Sequence, residues 1–230
     1  MPLLEELIAQ REPPVKKVVL PIASIENHGC LPIGTDLILA RCVINKLVDI
    51  KNIKNSVWIA PIIPYSTSIE HLSENYTISS STITFIEYLK EIITTLAEFS
   101  SQVILLVFHG GAYYPAYMAA REERSQGRDV RVINFWRIIE EALRNKYSWN
   151  NPVIVHASSI EASILASCNY IEECMREVDK VEEEISELLE PWIGMDIEYV
   201  YKRKIVSYSK KIGKELLEYA LNKITEIITA

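Results

Sequence analysis

Val103-Ile104-Leu105-Leu106-Val107-Phe108 is an unbroken run of six apolar residues, and His109-Gly110-Gly111 follows it at once. A strand with one wet face would alternate apolar and polar residues. A run without alternation suits a central strand of a parallel sheet, covered by helices on both faces. Outward from it, Tyr114 to Ser125 reads as helix, Val130 to Phe135 as strand and Trp136 to Asn145 as helix. On the other side, Val57 to Ile63 is an apolar run broken by Pro61 and followed by Pro64, a strand ending in a loop. Ser79 to Phe99 is the longest helical pattern, with Ile83, Ile86, Leu89, Ile93 and Leu96 on one face.

Val18-Val19-Leu20-Pro21-Ile22 reads as the first strand, and Asp36 to Asp49 as the helix after it, capped by Thr35 or Asp36. Towards the end, Val153-Ile154-Val155 reads as a short strand and Ser159 to Cys168 as a helix. An acidic tract from Glu172 to Glu190 reads as an exposed helix. Pro191 to Ser209 is less regular, and Lys214 to Ile228 closes the chain as helix. Strands alternating with helices give an α/β fold with a mainly parallel sheet and helices on both faces.

Composition narrows the classes of function. The 230 residues suit one α/β domain, and 49% hydrophobic residues are ample for its core. A formal charge of −7 argues against a nucleic-acid surface, and Lys202-Arg203-Lys204 is the only basic cluster. No apolar run is long enough to span a bilayer. The start, Met1-Pro2-Leu3-Leu4-Glu5-Glu6, lacks the basic region of a signal peptide. Cys30, Cys42, Cys168 and Cys174 form no CxxC pair and read as reduced thiols of a cytoplasmic protein. Abundant Ile, Lys and Glu, with Gln only at 10, 102 and 126, suggest a thermophile.

The chain has four histidines, and each follows a short apolar run beside an acid or a glycine pair. Ligands of parallel-sheet proteins bind at the carboxyl ends of the strands, where these segments fall. Glu26 and His28 are two apart in a non-helical segment, and Asp36 lies at the end of the same loop after Gly34. Together they offer oxygen and imidazole donors for Zn²⁺, Mn²⁺ or Fe²⁺. Asp36 would equally serve as a plain helix cap. His109 ends the most buried strand, and Gly110-Gly111 leaves room for a close approach to the backbone. A phosphate cradle is the rival reading, but neither GxxxxGK nor GxGxxG is present. His156 and Glu161 bracket a helix start, the first as proton shuttle and the second as ligand or helix-end charge. Ser158 and Ser159 read as caps. Glu70 and His71 lie in a Ser/Thr-rich loop, Tyr65 to Tyr76, that could close over a small-molecule substrate. No serine stands in a GxSxG elbow.

These segments together resemble the creatininase (creatinine amidohydrolase) family. The matching stretches are Leu20-Pro21-Ile22-Ala23-Ser24-Ile25-Glu26-Asn27-His28-Gly29 through Asp36, then Tyr65 to Thr77 with its S-x-E-H core, then His109-Gly110-Gly111, then His156-Ala157 through Ser163. They run in family order over about two thirds of the chain. The resemblance implies a three-layer α/β/α domain across 1–230 and a centre of two divalent metals, Zn, Mn or Fe. It implies hydrolysis of a C–N bond in a small cyclic amide or formamide. By position, Glu26, Asp36 and His109 would hold one metal. His28, bridging Asp36 and Glu161 would hold the other, with His156 as general acid/base. A homo-oligomer, often a hexamer, is also implied. The Glu-Asn-His-Gly wording resembles the archaeal branch that deformylates a formylaminopyrimidine nucleotide in flavin and deazaflavin synthesis. A non-catalytic, oligomeric paralogue is the rival.

Several neighbours depart from the family pattern. The stretch between His28 and Asp36 is one residue short, Phe108 replaces a small polar residue, and Ala112 stands where Asn is usual. Ser159 replaces a Glu and Ala162 a Thr. Trp136, Trp149 and Trp192 are candidates to enclose a ring by residue type alone.

Overall fold

The computed structural model describes residues 3–6, 15–50, 57–150, 152, 154–181 and 202–230. Strands β1 (Val15–Ile22), β2 (Val57–Ile59), β3 (Ser100–Val107) and β4 (Val130–Asn134) form one parallel sheet in the order β2-β1-β3-β4. The two central strands end level, with Ile22 opposite Val107. Phe108 then donates its N–H to the Ile22 carbonyl at 2.8 Å, so the chain leaves both strands side by side.

The apolar run of β3 divides between the two faces, as a pleated strand must. Ile104, Leu106 and Phe108 pack on one side with α1 (Thr35–Val48), α4 (Phe135–Tyr147), α5 (Ser159–Ser167) and α6 (Lys210–Thr229). Val103, Leu105 and Val107 pack on the other with α2 (Thr82–Ala97) and α3 (Gly110–Ser125). The result is the expected three-layer α/β/α arrangement. Helix α1 follows β1 on one face and α3 follows β3 on the other, which opens a crevice at the carboxyl ends of these strands.

Some local expectations change. The first helix begins at Thr35 with Gly34 as its N-cap, so Asp36 sits inside the first turn and caps nothing. The third begins at Gly110, not Tyr114, and starts where β3 ends. Asn134 is both the last residue of β4 and the cap of α4, its side chain accepting from the Trp136 N–H at 3.0 Å. Ile154 and Val155 belong to no strand ladder; the expected strand there is a connection, and position 153 lies outside the described residues. Within the acidic tract, Met175–Glu177 is a strand, β5, paired in parallel with β6 (Val206–Tyr208). Residues 182–201, including the part of that tract from 182 to 190 and Trp192, lie outside the described residues.

The reading of four reduced thiols is overturned. Cys30 pairs with Cys174 and Cys42 with Cys168, with Cα–Cα separations of 6.2 and 6.0 Å. Both lie within the usual disulfide range. The partners are 144 and 126 residues apart, so only the tertiary fold brings them together.

Candidate metal centre

Loop 23–36 carries three of the candidate residues. Gly29, with φ +61°, lets the chain turn back, and the Glu26 N–H reaches the Ile33 carbonyl at 2.8 Å. This shortened loop still brings His28 and Asp36 together, with Nε2 and Oδ1 3.7 Å apart. Glu26, His28 and Asp36 are all at least 98% buried. From the end of β3, His109 places its Nδ1 3.1 Å from Glu26 Oε1 and 3.1 Å from Asp36 Oδ2. The two carboxylates and this imidazole form one group whose donor atoms lie within 4.8 Å of one another.

His156 and Glu161 reach the same crevice from the other side. Ala157, at φ +51°, reverses the chain between His156 and α5. The Ser158 side chain accepts the Glu161 N–H, and the Ser158 N–H donates to Glu161 Oε2 at 2.9 Å. This capping box satisfies helix-end donors and holds the carboxylate in one orientation. Ser158 is therefore a cap, as expected, and also a guide for Glu161. His28, His156 and Glu161 form a second close donor group, and Glu26, His71 and His156 a third. The rings of His28 and His156 are 4.2 Å apart, and those of His71 and His156 stack at 4.1 Å.

Three of the imidazoles are oriented in the same way. His28 Nδ1 faces the Glu26 carbonyl at 3.1 Å, His109 Nε2 the Thr67 carbonyl at 2.9 Å, and His156 Nε2 the Asn27 carbonyl at 2.6 Å. A nitrogen that donates to a carbonyl leaves the other nitrogen of the ring turned towards the crevice, an arrangement common among metal-bound histidines. Ser68 Oγ lies 3.2 Å from His109 Nε2, and Ser24 donates to Asp36 Oδ2 at 2.8 Å. These supports were not singled out in the sequence; the Ser66-Thr67-Ser68 run and Ser24, two residues before Glu26, were the available signals.

The charge pattern is that of a cation site. Burial alone would push the Glu26 carboxyl up; His109, then His28 and His156, override it and hold it well below the usual range. Asp36 is likewise lowered against burial, by the His109 imidazole 3.1 Å from it and by the nearby His28. Burial opposes the charged forms of His28 and His109, yet Asp36 lifts His28 to about 9, and Glu26 with Asp36 raises His109 well above its ordinary value. Burial wins at His71, lowered to about 4, and at His156, lowered further by the charges of His28 and His71. In the metal-free chain, the buried carboxylates and the His28 and His109 imidazoles thus favour one another's charged forms. Glu26 Oε2 and His28 Nε2 are buried without a hydrogen-bond partner among the described residues. Orphaned donors of this kind, in a carboxylate and imidazole set, fit Zn²⁺, Mn²⁺ or Fe²⁺.

The glycine pair has a different use from a phosphate cradle. A side chain at Gly111 would collide with the Glu70 carboxylate and with His109, and would press on the Thr67 carbonyl; one at Gly110 would meet nothing. The group that approaches this backbone is Glu70, and burial raises its carboxyl. Glu70 and His71 line the crevice with Trp136. The Trp136 indole N–H donates to the Phe108 carbonyl at 2.6 Å, and Phe108 itself is core, packed on Phe135 at 4.9 Å. Trp149 packs at the edge of the core instead.

Fold and site define an α/β protein with a metal-type centre at its sheet rim. The family signature described as "Creatininase: Creatinine amidohydrolase" matches residues 4–228, and the chain belongs to the creatininase family. It is thereby a metal-dependent amidohydrolase, a hydrolase of non-peptide C–N bonds. Among solved structures, a creatininase with Mn is similar over 98% of this chain and 96% of its own, at 17% identity and TM-score 0.71. A mutant creatininase complexed with creatine is similar over 98% and 96%, at 16% identity and TM-score 0.70. A mutant creatininase of Zn-Zn type is similar over 94% and 90%, at 16% identity and TM-score 0.66. Comparison with curated proteins gives no match.

Proposed function

We propose that the chain acts as one domain holding two divalent metals and hydrolyses a small cyclic amide or formamide. Glu26, Asp36 and His109 would hold one metal; His28 and Glu161, with Asp36 shared between the two, would hold the other. The observation that carries this reading is the contact of His109 Nδ1 with both Glu26 and Asp36 beside the orphaned Glu26 Oε2 and His28 Nε2. The Mn and Zn-Zn forms of the similar creatininases support Mn²⁺ or Zn²⁺, and the donor set also admits Fe²⁺. Bound there, such metals supply an activated water and polarise the amide carbonyl.

The chain's own residues do the rest. His156, kept neutral by burial and anchored on Asn27, accepts a proton from the attacking water and delivers it to the departing nitrogen. Water adds to the carbonyl carbon, the C–N bond breaks, and the products are a carboxylic acid and an amine. Glu70 and His71 face the substrate from the loop, and Trp136 supplies an apolar wall. The Glu26-Asn27-His28-Gly29 wording favours a formylaminopyrimidine nucleotide over creatinine as substrate.

Tyr65, Ile69, Leu72, Tyr76, Ile78 and Ile83 are exposed on one stretch of chain, which supports a homo-oligomer, a hexamer by resemblance. No described helix is long and apolar enough to cross a membrane. Two disulfides in a chain rich in Ile, Lys and Glu suit the cytoplasm of a thermophile, where intracellular disulfides persist.

The test is metal content and activity together. Protein purified without chelators should carry about two equivalents of metal and hydrolyse a member of a formamide and cyclic-amide panel. Glu26→Ala should abolish the activity and lower the metal content by about one equivalent. Less than about one equivalent, unchanged by added Zn²⁺, Mn²⁺ or Fe²⁺, would instead mark a non-catalytic paralogue.

A further inference from the structure

The two disulfides join the same two stretches of chain, and both stretches carry candidate ligands. Cys30 follows His28 by two residues and pairs with Cys174, next to β5. Cys42 lies in α1, six residues past Asp36, and pairs with Cys168, the C-cap of α5, seven residues past Glu161. At 1.5 Å per helical residue these offsets are about 9 and about 10.5 Å. The crosslink thus joins α1 and α5 at matched depths below the first turns that hold Asp36 and Glu161. It sets the level of one turn against the other.

The two halves of the centre depend on this very differently. Glu26 and His109 leave the ends of adjacent strands, whose ladder runs up to Ile22 opposite Val107. Beyond the strand ends, the two are joined directly by the 3.1 Å contact of His109 Nδ1 with Glu26 Oε1. His28, His156 and Glu161 straddle the loop after β1 and the start of α5, which no strand ladder joins among the described residues and which the His156–Asn27 hydrogen bond links at a single point. Helix α5 is held from behind by α6, where Gly213 lies so close to the Ser163 carbonyl that a Cβ would overlap it. Ser163 Oγ also accepts the Ser209 N–H at 2.9 Å. Opening the bridges would therefore leave α5 in the fold, still packed on α1 through the shared apolar core but without the covalent tie that sets its level.

We propose that Cys30–Cys174 and Cys42–Cys168 are positioning residues that hold the His28–His156–Glu161 half of the centre in register, so that reduction weakens one metal of the pair and spares the other. This rests on the two-metal reading above. No group changes charge in the argument; the bridges act through distance alone.

The experiment compares the oxidised chain with the chain reduced by a phosphine and desalted without air. Alkylation and mass measurement count the thiols, zero and four. Mn²⁺ titration followed by electron paramagnetic resonance counts the metals and detects spin coupling between them. Circular dichroism reports the fold. The expected result is two coupled Mn²⁺ in the oxidised chain. After reduction one tight, uncoupled Mn²⁺ should remain, the second weakened by about 10–100-fold, the range seen when supporting contacts of a metal site are lost. Air reoxidation should restore the coupling. Cys42→Ser with Cys168→Ser should reproduce part of the loss without reductant.

Two coupled metals of unchanged affinity in the folded, reduced chain would overturn the inference and leave the two-metal reading intact. Free thiols in the protein as isolated, or loss of circular dichroism on reduction, would also overturn it, the latter by making the bridges supports of the whole fold. No metal in either state would overturn the two-metal reading itself.

Discussion

His156 hangs from the backbone of Asn27 across 129 residues of sequence, with Nε2 2.6 Å from the carbonyl oxygen. This fixes the proton on Nε2 and turns Nδ1 towards Glu26 Oε1, 3.7 Å away. A base uses the lone pair on Nδ1, and a metal ligand uses the same one. His156→Ala should lower kcat by about 10²–10⁴-fold, the usual contribution of a positioned acid/base group. Metal content should stay at that of the parent. A loss of one metal equivalent along with activity would make His156 a ligand and move the proton transfer elsewhere.

Ser24 donates to Asp36 Oδ2 from the wall behind the carboxylate, at 2.8 Å. Ser24→Ala removes that restraint without touching a ligand. Metal affinity should drop by about 10–100-fold, with the fold unchanged by circular dichroism. Competition with a fluorescent chelator measures it, and an unaltered affinity would show that Asp36 needs no support.

The neighbours Gly110 and Gly111 should respond in opposite ways to the same change. Gly111→Ala forces a methyl group against Glu70, His109 and the Thr67 carbonyl, and should destabilise the protein by about 1–3 kcal/mol. Gly110→Ala meets open space and should cost far less. Urea denaturation of the pair gives the comparison; equal effects would refute the crowding at position 111.

The metal-free chain should be most stable near pH 6.5. His28, raised from 6.5 to about 9, contributes stability that is complete below 6.5 and is lost as pH rises through 9. His109, also raised, acts in the same direction. His71, lowered to about 4, contributes stability that is complete above 6.5 and is lost as pH falls towards 4. His156, Glu26 and Asp36, all lowered, add to the loss on the acid side. Melting temperatures of chelator-treated protein between pH 4 and 9 should rise and then fall. A steady trend across the range would contradict the charge pattern described.

How far the sequence could be read depended on the range of the forces involved. The run Val103 to Phe108 announces a central strand because burial on both faces demands apolar residues at every position. The ligand-type residues were visible because they sit just past strand ends, where a parallel sheet gathers them. Asp36 was ambiguous, since a carboxylate at a helix start satisfies either a cap or a metal; only the backbone placed Gly34 at the cap. Val153 to Val155 looks like a strand by composition, but a strand needs a ladder, and Ile154 and Val155 have none. The cysteine pairs were illegible for a related reason. Nothing local distinguishes a thiol with a partner 126 or 144 residues away from one without.

The Trp136 indole N–H is committed to the Phe108 carbonyl, so the side chain offers the crevice a flat apolar face and no donor. Such a wall accepts any planar group of suitable size and reads nothing along its edge. On the proposed reading, discrimination between one amide and another would then fall to residues 65–80, which bring Glu70 and His71 to the same crevice. Relatives of this chain could exchange substrates by changing that one loop, while every residue around the metals stayed the same.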